Sequence, residues 1–494
     1  MKQSQKERKI GDNLETEKLE NQIPPVRPEP VEGFAERNDK PFDYWLKKNK
    51  YYHQRVTDFY KVHVPEDSSV LMLNCKNGYL LHALKPFFGV GVDTDEQALQ
   101  SARAQYPEYQ FFSGNLDSLQ LFHRFDYIIV PFVAMEADDI QEFLTQLHRF
   151  CHPGTRIIVE TYNKAWKPIL WLTQKMRLRR KTSFKHWISQ YDVHNFLHLS
   201  GFDRVTSGGF MLMPMRVPLI SSIFNTVLSH LPLLNRLCLT KWTIARPVRA
   251  AKNRLEATVS VIVTCKNEAG NVEGAVTRTP HMGKETEIIF VEGGSKDNTR
   301  EEIERVMEKY PQKNVRLLVQ DGTGKGDAVR KAFAHARGDV LMILDGDLTV
   351  MPEDMPKFFD ALMSGKGEFI NGSRLVCGME KGAMPWFNWV VNYSFGLLTS
   401  WLMGQRIKDS LCGTKVLFKK DYERIAKQRS FFSLNDPYGD FDLLFGASRL
   451  NLKIIDQPVH YKQRTYGATN IHHFQGGVRL LLMCWHALRK VKLR

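Results

Sequence analysis

Apolar and polar positions divide the chain into a polar leader and two regions in which strands alternate with helices. Residues 1–40 are polar and proline-rich, which predicts a disordered leader. From Ser69 onward, short apolar runs typical of strands alternate with amphipathic helical segments. The predicted strands are Val70–Leu73, Gly89–Asp93, Tyr127–Pro131 and Arg156–Glu160. Because such alternation is typical of parallel sheets covered by helices on both faces, we expect an α/β domain over residues 41–250.

A second alternation begins at Thr258, after the short basic linker Arg249–Arg254. Strands are predicted at 259–264, 287–292, 315–319 and 339–345, and helices near 297–309 and 326–336. The two halves share this pattern but no motifs, so they are not an internal repeat. We expect a second α/β domain over residues 256–472, followed by an amphipathic basic segment at 473–494.

Composition and charge narrow the class of protein. A chain of 494 residues is long enough for two domains, and 43% hydrophobic with 25% charged residues is ordinary for globular proteins. The net charge of +15 suits nucleic acid, an anionic bilayer or phosphorylated substrates. Because the sequence has no helix-turn-helix, RNP or zinc-finger signature, we expect no nucleic acid partner. Seven scattered cysteines without a C-x-x-C pair favour reduced thiols in the cytosol and argue against a zinc site.

Two stretches, Val217–Asn235 and Gly382–Gln405, carry no formal charge. Their prolines, asparagines and serines favour buried or interfacial helices, although a membrane span at 382–405 stays open. Tryptophans within 384–404 and near the basic tail favour contact with a membrane surface, and a stripe of core aromatics is the alternative. The first residues lack the apolar region of a secretory signal. We therefore expect a cytoplasmic protein that associates peripherally with the inner face of the cell membrane.

Three predicted strands of the C-terminal half end in acidic turns. The residues concerned are Glu268 after the first strand, Glu292 and Asp297 after the second, and Asp345-Gly346-Asp347 after the fourth. Because parallel strands place their carboxyl ends at one edge of a sheet, where open α/β folds bind ligands, these carboxylates are expected to share a site. Two aspartates at positions i and i+2 suit one Mg²⁺ or Mn²⁺ ion that bridges diphosphate oxygens. Asp-Gly-Asp alone is equally typical of a polar turn, and the series of turns favours the functional interpretation.

These turns belong to a set of motifs that resembles inverting family 2 glycosyltransferases of GT-A fold, above all dolichyl- and polyprenyl-phosphate sugar transferases. The motifs, in order, are Val261–Glu268, Val291–Thr299, Gly324–Gly326, Asp345–Leu348, Asn371–Arg374, Asp409–Lys415 and Tyr461–Asn470. The resemblance implies a nucleotide-sugar donor whose nucleoside contacts Glu268, Glu292 and Asp297. It implies metal ligands at Asp345 and Asp347, and cations that face phosphates at Lys325, Arg374 and Arg464. Asp347 and Arg464 would also serve catalysis.

The motifs constrain the acceptor less than the donor. Glu292-Gly293, Thr349 and Asn470 stand where the family usually has paired aspartates, a glutamine and a lysine, which leaves the sugar and the acceptor open. Asp440, in the segment D-P-Y-G-D-F-D, is the candidate general base if the acceptor is an alcohol. A lipid phosphate is already ionised, and Asp440 would then position other groups. A capping aspartate before the predicted helix 443–449 is the structural alternative.

The N-terminal half resembles class I S-adenosylmethionine methyltransferases. Its motifs are Val70–Leu80, Gly91–Asp93, Phe125–Val130, His152–Gly154 and Leu199–Phe202. The resemblance implies a cofactor loop that retains Gly78, a ribose-binding acid at Asp93, and Asp117 close to a further acidic position. Asn74 and Lys76 replace glycines of that loop, so an active methyltransferase and a degenerate one kept as a scaffold both remain open.

The leading hypothesis is a metal-dependent, inverting glycosyltransferase that moves a sugar from a nucleotide-sugar to a lipid-phosphate or glycan acceptor at a membrane surface. The alternative is a non-catalytic, membrane-associated adaptor built from two decayed enzyme folds. Binding of a nucleotide-sugar together with Mn²⁺ separates the two hypotheses.

Overall fold

The computed structural model of the chain contains two seven-stranded mixed sheets, one in each half. It describes residues 40–182, 184–377, 379–380, 382–432, 436, 438–467 and 473–493. The predicted leader lies outside these residues except for Lys40, and so does Asn470. From Lys40 onward both sheets belong to one compact unit. The domain boundaries expected from the sequence stay a prediction.

The N-terminal sheet has the strand order β3-β2-β1-β4-β5-β7-β6. Its strands are β1 Ser69–Leu73, β2 Phe88–Asp93, β3 Gln110–Ser113, β4 Phe125–Pro131, β5 Cys151–Tyr162, β6 Phe202–Phe210 and β7 Thr240–Pro247. Its helices are α1 Phe42–Lys48, α2 Lys50–His63, α3 Tyr79–Leu84, α4 Glu96–Gln105, α5 Ile140–Gln146, α6 Lys167–Lys175, α7 Gln190–Leu199, α8 Ile220–Ser222 and α9 Pro232–Asn235. Strands β1 to β5 are parallel, and β7 runs antiparallel between β5 and β6. This doubly wound arrangement confirms the predicted methyltransferase-like fold.

The C-terminal sheet has the strand order β10-β9-β8-β11-β13-β12-β14. Its strands are β8 Thr258–Cys265, β9 Glu285–Glu292, β10 Val315–Val319, β11 Val340–Asp345, β12 Phe369–Ser373, β13 Lys415–Phe418 and β14 Ile454–Pro458. Its helices are α10 Ala269–Arg278, α11 Thr299–Lys309, α12 Lys325–His335, α13 Met355–Met363, α14 Trp386–Met403, α15 Lys419–Lys427, α16 Arg429–Phe432, α17 Asp440–Arg449 and α18 His473–Val491. Only β13 runs antiparallel to its neighbours among these strands. The predicted α/β fold of GT-A type is confirmed.

Burial along the strands explains why the alternation was visible in the sequence. The strands β1, β4, β8 and β11 are buried over almost their whole length, as expected for central strands covered on both faces. The helix α11 buries Thr299, Ile303 and Val306 on one side and carries its charged residues elsewhere. Strand ends therefore carry the polar turns, and those turns lie at the carboxyl edge of each parallel set.

The stretch 382–405, for which a membrane span was left open, forms α14 over most of its length. In the described ranges of the chain, no helix combines the length and the apolar character needed to cross a membrane.

A buried carboxylate joins the two halves. Glu368, just before β12, accepts two hydrogen bonds from Arg156 Nη2 on β5, at 2.9 and 2.8 Å, and both side chains are fully buried. Arg249 also pairs with Glu368, and Arg246 Nη1 on β7 lies 3.5 Å from it. Burial by itself would raise the pKa of Glu368, but the three arginines hold it at about 2. The predicted basic linker therefore begins with a residue, Arg249, that belongs to the buried interface.

Further contacts extend the interface on both sides of this cluster. Asp203 at the start of β6 receives Lys453 Nζ at 2.5 Å and Arg246 Nη2 at 3.1 Å. Arg449 at the end of α17 donates to the backbone oxygens of Val62 and Val64 at the end of α2. These bonds satisfy buried polar groups of one half with groups of the other half, so neither half is complete without its neighbour.

We expect Glu368→Gln to lower the free energy of unfolding by about 3–5 kcal/mol, because the substitution leaves three guanidinium groups close together without a counter-charge. Urea unfolding followed by circular dichroism measures the change. The effect should shrink as the pH falls from about 4.5 towards 2. Glu368 has a depressed pKa in the folded protein, so its stabilisation is present above the unfolded value and is lost as the carboxylate protonates.

Glu353→Gln is the matched control. Glu353 pairs with Arg278 at 2.8 Å, but both side chains are exposed, so its loss should cost less than about 1 kcal/mol. Equal effects of the two substitutions would show that the buried cluster does not hold the halves together.

Candidate functional site

The strand register brings the three acidic turns of the C-terminal half to one edge of the sheet. Cys265 at the end of β8 lies opposite Glu292 at the end of β9, and Thr264 lies opposite Asp345 at the end of β11. The chain leaves all three strands in the same direction, because β8, β9 and β11 are parallel neighbours. The predicted shared edge is therefore present.

Hydrogen bonds connect the turns after β8 and β9 to each other. The backbone N–H of Glu268 donates to Thr299 Oγ1 at 2.9 Å, and the N–H of Asn267 donates to Ser295 Oγ at 3.0 Å. Asp297 accepts the N–H of Thr299 at 3.1 Å and, more distantly, that of Ala269 at 3.4 Å. The N-terminus of α10 and the turn before α11 thus form one bonded unit that presents Glu268 and Asp297 at the same edge.

Glu292 behaves differently from the other predicted donor-site acids. Its side chain is buried and accepts the backbone N–H of Ser295 at 2.5 Å, within its own turn. Burial by itself would raise the pKa of Glu292, but these hydrogen bonds hold it below its usual value. The structure therefore shows Glu292 shaping the turn that carries Asp297.

Asp345, Lys325 and Asp440 form a cluster of alternating charge. Lys325 Nζ, at the start of α12, donates to Asp345 Oδ1 at 2.5 Å. Burial by itself would raise the pKa of Asp345, but Lys325 and neighbouring cations hold it below its usual value, so this carboxylate is ionised. A Cβ at Gly413 would lie 2.2 Å from both Asp345 Oδ2 and Lys325 Nζ, so a larger residue here would displace the ends of these two side chains.

The start of α17 packs against the start of α12 and brings Asp440 to the same cluster. A Cβ at Gly439 would lie 2.9 Å from the Cα of Gly326, and Gly439 has φ of 82°, so a larger residue is excluded twice over. Asp440 is buried, and its Oδ1 lies 3.7 Å from Lys415 Nζ. Burial raises the pKa of Asp440, although Lys325 and Lys415 act in the opposite direction.

Asp436, and not Asp440, satisfies the first turn of α17. Its Oδ2 accepts the backbone N–H groups of Phe441 and Asp442 at 2.9 and 3.0 Å. The capping role considered for Asp440 therefore belongs to its neighbour.

We call the edge of the C-terminal sheet that carries Glu268, Asp297, Asp345 and Asp347 the acidic edge. A segment late in the chain covers it. We call residues 461–467 the strap. Tyr461 forms an antiparallel bridge with Val350, and the N–H of Lys462 donates to the oxygen of Thr349 at 2.9 Å. Arg464 then donates from Nη1 to Glu268 at 2.8 Å and from Nη2 to Asp347 at 2.6 Å.

 Thr349 also donates from its side chain to Asp347 Oδ1 at 2.8 Å. The bond from Lys462 to Thr349 therefore fixes the strap beside Asp347.

The strap also contacts the turn after β9. Tyr466 OH donates to Asp297 Oδ2 at 3.3 Å, and its ring lies so close to Gly270 that a Cβ there would come within 2.5 Å of it. Burial raises the pKa of Glu268, and Arg464 offsets part of that rise. One short segment therefore contacts carboxylates from three separate turns, at Glu268, Asp297 and Asp347.

The remaining predicted cation, Arg374, is committed to a structural pair. Its Nε and Nη2 donate to the two oxygens of buried Asp409 at 2.7 and 2.9 Å. Its backbone N–H also donates to Asp409, at 3.0 Å. Arg374 thus contributes positive charge near Asp345 without its guanidinium facing that turn, and it holds the loop that contains Gly413.

Lys415 is a site residue to which the sequence analysis assigned no role. It is fully buried, donates to Asn371 Oδ1 at 2.9 Å and also donates to the backbone oxygen of Cys412. The signal that points to it is a lysine directly before an apolar strand, because a lysine is rarely buried unless it is paired.

The acidic edge suits a divalent ion that arrives with a phosphorylated ligand. Among the described residues, no group of three or more histidine, cysteine, aspartate or glutamate side chains is arranged to hold a metal. Mg²⁺ is usually held by one or two carboxylates, with phosphate oxygens and water completing its shell. Asp345 and Asp347 supply two such carboxylates, each now paired with a cation, so the donor set fits an ion shared with a diphosphate.

The N-terminal cofactor loop does not fit S-adenosylmethionine in the same way. Asp93 is buried, and its two oxygens accept the backbone N–H groups of Lys76 and Asp95 at 2.8 and 2.9 Å. Lys76 Nζ lies 3.5 Å from the same carboxylate. Of the two oxygens expected to hold ribose hydroxyls, one is therefore engaged by the cofactor loop at Lys76 and the other by the turn after β2 at Asp95.

The other predicted residues of this loop have conformations that glycine favours. Asn74 and Lys76 have φ of 54°, and Gly78 has φ of 76°. A Cβ at Gly78 would lie 2.8 Å from the ring of Phe111, so this glycine is required by packing. Asp117 is exposed in the loop after β3. The structure does not bring these residues together around an open carboxylate.

Comparisons with known proteins agree with both halves of this description. Residues 260–430 match the family model of glycosyl transferase family 2, and residues 70–154 match that of a methyltransferase domain. Dolichol-phosphate mannosyltransferase of Pyrococcus furiosus is 34% identical over 136 residues, which are 27% of this chain and 38% of that protein. Dolichyl-phosphate beta-glucosyltransferase of Dictyostelium discoideum is 27% identical over 188 residues, 36% of this chain and 55% of that protein.

The chain spans less than two thirds of the length of either relative. A solved S-adenosylmethionine dependent methyltransferase of Mesorhizobium loti is 18% identical with a TM-score of 0.29, over 37% of this chain and 92% of that chain. Taken together with the fold, the family matches show that the chain carries a glycosyl transferase family 2 domain in its C-terminal half and a methyltransferase domain in its N-terminal half.

Proposed function

We propose that the C-terminal domain transfers a sugar, with inversion, from a nucleotide-sugar to a polyprenyl-type lipid phosphate, and that it uses a divalent metal ion. The observation that carries this proposal is the bridge from Arg464 to Glu268 and Asp347, since one cationic group reaches carboxylates from separate strand ends. Glu268 and Asp347 thus belong to one site at the carboxyl edge of the sheet, where a nucleoside would lie at the turn after β8 and its phosphates at the turn after β11. The names of the relatives, which refer to dolichol phosphate and dolichyl phosphate, support a lipid-phosphate acceptor.

Each side chain at the edge has a role in this proposal. Glu268 and Asp297 accept hydrogen bonds from the nucleoside, while Glu292 keeps their turn in shape. Asp345 and Asp347 would hold the Mg²⁺ or Mn²⁺ ion, which neutralises charge on the departing nucleoside diphosphate. Lys325 and Arg464 exchange their carboxylate partners for phosphate oxygens, and Arg374 supports the loop from behind through Asp409.

The transfer is a single displacement at the anomeric carbon. An acceptor oxygen forms a bond to that carbon while the bond to the diphosphate oxygen breaks, and the nucleoside diphosphate leaves with the electron pair. A lipid phosphate brings an oxygen that is already ionised and needs no general base. Asp440 is buried beside Lys415, which favours a positioning role over proton removal. A glycan hydroxyl as acceptor would instead require Asp440 as its base.

The proposed place of action is the inner face of the cell membrane, with the protein in the cytoplasm and peripherally attached. The seven cysteines are free, and six of them are buried, which is consistent with a reducing compartment. The exposed tryptophans Trp386 and Trp485 lie on α14 and α18, as contact with headgroups requires. A non-catalytic adaptor remains the competing function, and the absence of heat on titration with UDP- and GDP-sugars plus Mn²⁺ would favour it.

Asp345→Asn and Asp347→Asn should each lower metal-dependent release of nucleotide from a nucleotide-sugar by at least about 100-fold, because each removes a charged ligand from the proposed ion. The assay supplies UDP- or GDP-sugars, Mn²⁺ and a polyprenyl phosphate. Circular dichroism establishes that both variants keep the fold.

Asp321→Asn is the matched control for charge. Asp321 is largely exposed and pairs with Lys331 on α12, and its loss should leave the rate within about twofold. Unchanged turnover in both Asp345 and Asp347 variants would remove the proposed metal site.

Arg464→Ala should lower kcat/KM by about 100-fold, because the guanidinium that pairs with the acidic edge would no longer meet the diphosphate. Lys462→Ala changes a neighbouring, exposed charge of the strap and should leave kcat/KM within about twofold. Steady-state kinetics with a saturating acceptor measure both. Wild-type kcat/KM in the Arg464 variant would contradict the role given to the strap.

We propose that the N-terminal domain acts as a scaffold, because its own loop engages the carboxylate of Asp93. Photo-crosslinking with labelled S-adenosylmethionine should therefore give no labelling of the wild-type chain. Labelling that Asp93→Ala abolishes would overturn this assignment and establish a working cofactor site.

A further inference from the structure

Two segments of the N-terminal domain expose large apolar side chains to solvent. We call residues 164–181 segment A and residues 211–241 segment B. Segment A, which contains α6, exposes Ile169, Trp171, Leu172 and Met176. Segment B, which contains α8 and α9, exposes Leu219, Ile223, Leu231 and Leu233, with Leu219 and Leu233 at 82% and 74%. Patches of this kind are rare on monomeric proteins unless they meet a partner or a membrane.

The charge of both segments is of one sign. Neither segment contains an aspartate or a glutamate, although the whole chain has 54 of them. Segment A carries seven lysines and arginines, and segment B carries Arg216, Arg236 and Lys241. Two of these cations, Lys164 and Arg180, pair with Asp192 and Asp95 from outside segment A. Apolar side chains flanked by a net positive charge are complementary to a bilayer that contains anionic lipids.

Hydrogen bonds place the two segments side by side and connect them to the C-terminal domain. Trp166 Nε1 of segment A donates to the oxygen of Leu237 in segment B at 2.8 Å. Trp401 Nε1 of α14 donates to the oxygen of His230 in segment B, also at 2.8 Å. A cavity of about 570 Å³ is lined jointly by His230, Trp401 and Lys492, so segment B, α14 and the end of α18 meet around one space.

The adjoining helices continue the same surface chemistry. The helix α14 exposes Trp386, Phe387, Trp389 and Leu397, and α18 exposes Leu481, Leu482 and Trp485. The two helices pack against each other. The ranges 381–408 and 473–494 also contain no aspartate or glutamate. Four neighbouring segments from both domains therefore share exposed apolar residues, positive charge and a lack of acids.

We propose that segments A and B bind the surface of a bilayer containing anionic phospholipid, so that the N-terminal domain supplies half of a membrane-docking face completed by α14 and α18. The occupant is a membrane because the apolar residues alternate with cations over several elements and carry no acids to complement a basic protein partner. The proposal extends the membrane contact of the C-terminal helices to a domain whose fold belongs to methyltransferases.

The docking face also adjoins the acidic edge. The segment just before α14 bonds to the strap, through the N–H of Glu380 to Tyr461 at 3.2 Å and the N–H of Gln463 to Glu380 Oε2 at 2.9 Å. A lipid phosphate in the docked membrane would thus lie beside the strap. This consequence rests on the proposed sugar transfer, whereas docking itself does not.

Vesicle flotation tests the proposal with the full chain. Wild-type protein should float with vesicles of phosphatidylcholine and phosphatidylglycerol and should stay unbound with phosphatidylcholine alone. The double substitution Leu219→Asp and Leu233→Asp should reduce binding by at least about tenfold, because two apolar side chains that would enter the bilayer are replaced by charges that the anionic surface repels. The double substitution Trp386→Asp and Trp485→Asp measures how much of the vesicle binding depends on α14 and α18.

Phe122→Asp is the matched control, since Phe122 is fully exposed in the same domain but outside both segments, and its binding should equal wild type. Calorimetric titration of a nucleotide-sugar with Mn²⁺ into the Leu219 and Leu233 variant should match wild type, which separates a docking defect from loss of the donor site. Flotation of that variant at the wild-type level would overturn the proposal. So would a wild-type dimer that the variant dissociates, because the face would then bind a second copy.

Discussion

The buried carboxylate of Glu368 is the interaction on which the rest of the arrangement depends. A charge removed from water must be compensated within the protein, and here the compensation comes from Arg156, Arg246 and Arg249 of the other half. Separation of the two sheets would expose three arginines and one carboxylate that are now paired. The N-terminal fold is therefore needed for the stability of the C-terminal domain, whether or not it binds a cofactor. This requirement gives the N-terminal fold a structural role that does not depend on the residues of its cofactor loop.

The alternation of strands and helices made both folds predictable, because each central strand is an apolar run that ends in a polar turn. The strand 315–319 has the predicted bounds, and the turns at Glu268, Asp297 and Asp345 lie at the predicted edge. Strands β3, β6, β7 and β12 to β14 were not predicted. Strand β6 contains Gly208 and Gly209, and β12 contains Asn371 and Gly372, so these strands lack a continuous apolar run.

Sequence patterns could not predict pairings between residues that are far apart in the chain. Arg464 meets Glu268 across 196 positions, and Arg156 meets Glu368 across 212. Local composition made Arg249 resemble part of an exposed linker, whereas its partner lies more than a hundred residues away. Asp440 and Asp436 show the same limit at short range. Asp436 precedes α17 and Asp440 is its first residue, and only the backbone geometry shows that Asp436 accepts the first N–H groups of the helix.

In the proposed transfer, the strap lies between the donor site and the docking face. Its Arg464 is bonded to Glu268 and Asp347, so a nucleotide-sugar with its metal ion would have to exchange those partners before it could bind. The backbone N–H of Gln463, next to Arg464, donates to Glu380 in the segment that leads into α14 of the docking face. A membrane that holds α14 and the apolar segments of the N-terminal domain would therefore act on the same few residues as the donor. Donor entry and acceptor arrival would then be coupled through residues 461–467. Displacement of this segment would change the charge around the acidic edge and, at the same time, the distance between the acidic edge and the bilayer.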